Sequence, residues 1–139
     1  MSLWSTYGTD PSKESEGVWI EIPDDSGVVV RFKLAYIGPN NVELQKELEK
    51  LVRPYRRQLK KGASIDPVVQ RSLFIKAFVK TVLLDWENVT DQHGNIIPYS
   101  HDNGELVLTK LPVLFDILQE EAGYIGNFQS EAVEEEAKN

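Results

Sequence analysis

The chain has 139 residues, with 22 Asp and Glu against 15 Lys and Arg, a net charge of −7, 41% apolar residues and no cysteine. That length fits one domain able to bury about two thirds of its unfolded surface without a covalent staple. The missing cysteine excludes disulfides and thiolate metal sites, and the acidic balance excludes a general affinity for nucleic acid, which needs a clustered excess of Lys and Arg. No apolar run approaches the roughly 20 residues of a membrane span. The first residues, MSLWSTYGTDPSKESEG, lack the basic start and apolar stretch of a secretory signal, so cytoplasmic residence is the default expectation.

Residues 1–17 are rich in Ser, Thr, Gly and charge and read as a mobile arm. Leu3, Trp4 and Tyr7 stand out within it, either as an anchor on the domain or as a tether for another subunit. A single globular domain is expected over 18–129. It opens with a β-hairpin at 18–37, where Val18, Ile20 and Ile22 alternate with Trp19 and Glu21. Pro23 to Gly27 supply the turn, and Val28, Val30, Phe32, Leu34 and Tyr36 then share one face opposite Arg31 and Lys33. A lone hairpin is marginal in water, so it must dock on helices or pair with another chain.

A helix is predicted over 40–61, with Asn40 as cap and Glu43 completing a capping box. Leu44, Leu48, Leu51, Val52, Tyr55 and Leu59 form its apolar stripe, Pro54 kinks or splits it near Leu51, and Gly62 stops it. Arg53, Arg56, Arg57, Lys60 and Lys61 cluster near its end, where a solvated face suits the negative end of the helix dipole. The central helix is predicted over 66–87. Asp66 caps it, Pro67 takes its first position, and its wide apolar surface runs through Leu73, Phe74, Ala77, Phe78, Val82, Leu83 and Leu84 to Trp86. A loop with Gly94 at its tip leads to a helix pair over 100–123, capped by Ser100, restarted at Leu111-Pro112 and ended by Gly123. Tyr124, Ile125 and Phe128 form a last apolar patch before an acidic tail at 130–139. The fold class is therefore mainly α (α+β): an N-terminal antiparallel hairpin packed on a bundle of about four helices.

Catalytic chemistry is hard to find. His93 and His101 lie near Asp91 and Asp102, but no metal-ligand spacing occurs, and surface histidines are the plainer reading. Placing Gly94 at the glycine of a calcium loop puts Val89 where the first acidic ligand belongs, so that reading fails. No Gly-rich phosphate loop and no Gly-x-Ser-x-Gly is present. No catalytic residue, metal site or cofactor is expected, and the chain is expected not to be an enzyme.

The order of residues carries more. Val82-x-x-x-Trp86-x-x-Val89-x-Asp91-x-x-Gly94-x-x-Ile97-Pro98-Tyr99-Ser100-x-x-Asn103 is followed by Leu106, Leu108, Leu111-Pro112-x-Leu114, Ile117, Ala122, Asn127-Phe128 and a Glu-rich end closing on Lys138-Asn139. This set resembles the tail assembly chaperones of long-tailed, non-contractile bacteriophages. The resemblance implies a mainly helical, non-enzymatic protein of the bacterial host cytoplasm. It would bind the aggregation-prone tape-measure protein, keep it soluble, promote tail-tube polymerisation around it and be absent from the mature virion. It also implies a tail-tube partner reached through a longer, frameshifted product, and self-association. On this reading Leu114, Leu118, Tyr124, Ile125, Phe128 and Trp4 are the candidate partner-binding residues, with ordinary core an equal alternative for the five C-terminal ones. Trp86, Gly94, Pro98, Tyr99 and Ser100 form a structural helix-stop and helix-start motif. The alternative is a virion structural protein such as a tail connector or tail-completion subunit.

Overall fold

Alternation in the sequence becomes a sheet because every second residue can be buried on one side. In the computed structural model, which describes residues 2–130, β1 (Val18–Ile22) pairs antiparallel with β2 (Val30–Leu34), and β2 pairs antiparallel with β3 (Leu83–Glu87). The order β1-β2-β3 puts β2 at the centre. Its Val30, Phe32 and Leu34 are buried and face the helices, while Arg31 and Lys33 point to the outer face. The helices are α1 (Leu3–Tyr7), α2 (Pro11–Glu16), α3 (Val42–Val52), α4 (Arg56–Lys60), α5 (Pro67–Thr81), α6 (His101–Lys110) and α7 (Pro112–Ala122). The architecture is thus α+β, with an antiparallel sheet packed on helices.

The expected hairpin is part of a larger sheet, and the helix expected over 66–87 ends at Thr81. The backbone passes directly from α5 into β3. Leu83 lies opposite Leu34 and Trp86 opposite Phe32, with an irregularity of register between them. Two partners on β2 are two residues apart, but Leu83 and Trp86 are three apart. A β-bulge absorbs the extra residue and keeps both side chains on the buried face. That spacing of three also fits a helix face, which is why periodicity extends the helix too far.

The helix expected over 40–61 divides as Pro54 requires. α3 stops at Val52, a 3-10 turn spans Arg53–Tyr55, and α4 follows. The cap is Asn41 rather than Asn40: its side chain accepts from the Leu44 N–H at 3.0 Å and donates to the Tyr36 carbonyl at 2.8 Å. Asn40 is taken up by the preceding turn, which the Asn41 N–H closes on the Gly38 carbonyl. The starts at Asp66-Pro67 and Ser100, the break at Leu111-Pro112 and the stop at Gly123 stand where the sequence puts them.

Residues 2–17, expected as an arm, carry α1 and α2 and are tied to the far end of the chain. The Gln129 side chain donates to the carbonyls of Ser5 and Thr6, the Lys13 ammonium donates to the Gln129 carbonyl at 2.7 Å, and the Asp10 N–H donates to the Phe128 carbonyl at 2.8 Å. The acidic tail lies, from residue 131 on, outside the described residues.

The core joins β2, β3, α5, α6 and α7. Phe78, Phe115, Leu108 and Leu118 are fully buried in it, and Phe78 meets Phe115 edge-on at 5.2 Å. α6 approaches α5 at Gly104, where a β-carbon would stand 2.8 Å from a methyl of Val79. Arg71 reaches from α5 to α7. It donates to the Pro112 carbonyl and to Asp116, each at 3.0 Å, and lies over the Phe115 ring.

Candidate functional site: an apolar groove beside the C-terminal helices

The free end of the hairpin overhangs the α6–α7 junction. Between them runs an open groove of about 370 Å3. Ile22, Val30 and Phe32 line it from the sheet, Val89 from the loop that follows β3, and Val107, Leu111, Leu114 and Ile117 from the helices. Its rim holds Asp24, Asp25, Asn88 and Thr90. The helices put apolar residues here for a local reason. Pro112 interrupts the ladder, so Leu111 sits at a corner and is 52% exposed. On α7, Phe115, Leu118 and Ala122 take the inward stripe, leaving Leu114 and Ile117, one turn apart, on the flank. Val113, 70% exposed, and Leu106 extend the exposed apolar surface around this corner. A surface of this kind holds apolar side chains from a partner. Its rim carboxylates favour a cationic neighbour.

Of the residues the sequence singles out for partner binding, only Leu114 lines the groove. Leu118 and Phe128 are fully buried and belong to the core, Phe128 stacking on Tyr36 at 4.7 Å. They are corrected accordingly: an apolar stripe does not say which members face inward. Tyr124 is 59% exposed and Ile125 half-buried, both outside the groove lining. Trp4, 83% exposed, stands with Leu3 and Tyr7 on α1, away from that lining. Sequence reasoning missed Ile22, Val107, Leu111 and Ile117. The Leu111-Pro112 break was the available signal, since a broken helix exposes side chains at its corner.

The structural motif forms a clasp over the outer edge of β3. The Trp86 indole N–H donates to the Ile97 carbonyl at 2.8 Å, and Tyr99 meets the indole edge-on at 5.4 Å while its hydroxyl donates to the Leu83 carbonyl. Burial, with Asp85 adding repulsion, raises the Tyr99 pKa above the ordinary phenol value. Ser100 caps α6 by accepting from the Asn103 N–H, and Asn103 donates back to the Pro98 carbonyl. Gly94, at φ 82°, takes the left-handed position of the turn. In that turn Asp91 accepts from the N–H groups of Asn95 and His93, which hold its carboxyl below the usual range.

Arg53, Arg56, Arg57, Lys60 and Lys61 are all exposed and make no ion pair among the described residues. His93 and His101 are exposed as well, and no group of three or more His, Asp and Glu among the described residues could hold a metal ion. No described helix is long and apolar enough to cross a membrane.

Comparison with known proteins returns one family: the model of the YdaY prophage protein family matches residues 39–139. No curated protein and no solved structure matches. The matched span runs from the loop before α3 through the clasp, the helix pair and the groove's helical wall, and the chain belongs to the YdaY prophage protein family.

Proposed function

We propose that this phage-derived protein is a tail assembly chaperone that binds the tape-measure protein and keeps it soluble while the tail tube polymerises around it. The observation that carries this reading is the apolar groove at the α6–α7 corner, with Leu111, Ile117 and Val113 exposed beside a fully packed core. A long helical client presents apolar anchors at one-turn spacing, and an open apolar groove takes such anchors. The groove is too small for a whole helix and accepts a few side chains. Affinity per copy is therefore moderate, and tight coating comes from many copies on one client. Asp24 and Asp25 at the rim favour client segments flanked by Lys and Arg. The net charge of −7 helps keep a coated complex in solution. On this reading the protein acts in the host cytoplasm, has no catalytic activity and is absent from the mature virion.

The test is co-expression with the tape-measure protein of the same prophage. The proposal expects the client to become soluble only with this chain present, and the two to co-elute with several copies per client. A client indifferent to the chain, together with the chain in purified virions, would instead make it a structural tail protein.

A further inference from the structure

The two edges of the sheet are treated differently. The β3 edge is closed by the clasp: Trp86 and Tyr99 bond across it, and the Ile97 N–H donates to the Val89 carbonyl just beyond the strand. The β1 edge has no backbone partner among the described residues. Its protection is slight: five residues with one charge, Glu21, on the outer face. Its sequence, Val-Trp-Ile-Glu-Ile, holds no proline and no lysine, and its register with β2 is unbroken. Ile20 and Ile22 pack on the core yet are only half-buried, because the sheet ends at them.

From this edge we infer that β1 pairs antiparallel with β1 of a second copy, about a two-fold axis at Ile20, so that the two sheets merge into one. The inference does not depend on what the groove binds. The register follows from three requirements. A two-fold perpendicular to the sheet must pass through a residue if core-facing side chains are to stay on one face. An axis at Glu21 would set Glu21 against itself, a like-charge pair. An axis at Trp19 would leave Ile22 unpaired. At Ile20 every residue of the strand is used: Val18 faces Ile22 of the second copy, Ile20 faces Ile20, and Trp19 faces Glu21.

That register is also complementary on the outer face. Within one copy, Glu21, Arg31 and Glu87 form one row, and Trp19, Lys33 and Asp85 the next. Joining the copies sets Glu21 beside the indole of the other Trp19 and opposes no like charges. On the inner face it covers the open sides of Ile20 and Ile22, so the cores of both copies become continuous. An isologous contact of this kind closes on itself as a dimer.

The test is sedimentation of the full chain over a concentration series, with two substitutions at one position. Trp19→Glu places glutamate opposite Glu21 of the second copy twice over, while within its own chain it faces Lys33, a favourable pair. It should therefore stay folded by circular dichroism and dissociate at least about tenfold more readily. Trp19→Lys reverses both relationships and should remain a dimer. The cysteine-free chain allows a second readout. Oxidised Ile20→Cys should form a disulfide-linked dimer, whereas Val68→Cys, exposed at the start of α5, should not. A wild type monomeric throughout the series, a Trp19→Glu variant that associates like wild type, or Ile20→Cys that cross-links no better than Val68→Cys would each overturn the proposal. So would protection of the β1 amides only on adding client, which would assign the edge to a foreign strand.

Discussion

The Trp86 indole N–H donates to the Ile97 carbonyl over 2.8 Å, and this bond ties the last strand of the sheet to the segment that enters α6. Trp86 also packs edge-on against Phe32 and Tyr99, so one side chain joins sheet, loop and core. Trp86→Ala is predicted to cost about 3–5 kcal/mol through lost burial and the space left behind. Trp86→Phe keeps most of the packing but leaves the Ile97 carbonyl without its donor, and should cost about 1–3 kcal/mol. Urea denaturation of both variants checks the order, and a Trp86→Phe variant as stable as wild type would show that the bond contributes nothing beyond ring volume.

Gly104 gives a second test with two opposing effects. Alanine in a helix interior is ordinarily better than glycine by about 1 kcal/mol. Here the new methyl would stand 2.8 Å from Val79 across the α5–α6 contact, and overpacking of that kind costs about 1–3 kcal/mol. Gly104→Ala is therefore predicted to lower the melting temperature, and adding Val79→Ala to recover part of the loss. A more stable single variant would mean that the helices move apart freely.

The N-terminal helices depend on Gln129, whose amide donates to the carbonyls of Ser5 and Thr6. Gln129→Ala should change global stability by no more than about 1.5 kcal/mol, since these are ordinary neutral hydrogen bonds. It should nevertheless speed amide exchange in α1 and protease cleavage near Gly8. Unchanged exchange in α1 would place its anchorage in the backbone bond from Asp10 to Phe128 instead.

Tyr99 makes stability depend on alkaline pH. Its folded-state pKa is raised by burial and by Asp85, so folding favours the neutral phenol. That contribution is fully present below the unfolded phenol pKa of about 10 and is lost as pH rises through the folded value. Tyr99→Phe should be less stable than wild type at neutral pH, by about 1 kcal/mol for the unmade bond to Leu83. The gap should narrow as pH rises above the usual phenol range. A gap constant across that range would contradict the assignment.

What could be read from the sequence divides along physical lines. Local signals that act through one or two residues were legible: Asp66-Pro67 and Ser100 as starts, Pro54 and Pro112 as breaks, Gly94 as a turn. The alternation of Val30, Phe32 and Leu34 placed the buried face of β2 correctly. β3 was not legible, because a bulge gives Leu83 and Trp86 the spacing of a helix face. The site was legible only in part. Leu114 and Leu118 share one stripe, and only the position of the sheet decides that Leu118 is sealed while Leu114 borders a groove. The pairing of Gln129 with Ser5 joins opposite ends of the chain and leaves no local trace.

The most direct measurement is client solubility with the groove altered. Leu111→Lys and Ile117→Lys together change two partly exposed side chains on the groove wall, outside the buried core. They remove apolar anchorage and oppose a client flanked by basic residues. The account predicts that this double variant folds and melts close to wild type but leaves the co-expressed tape-measure protein in the insoluble fraction. A folded double variant that keeps the tape-measure protein as soluble as wild type does would contradict the groove as the binding site.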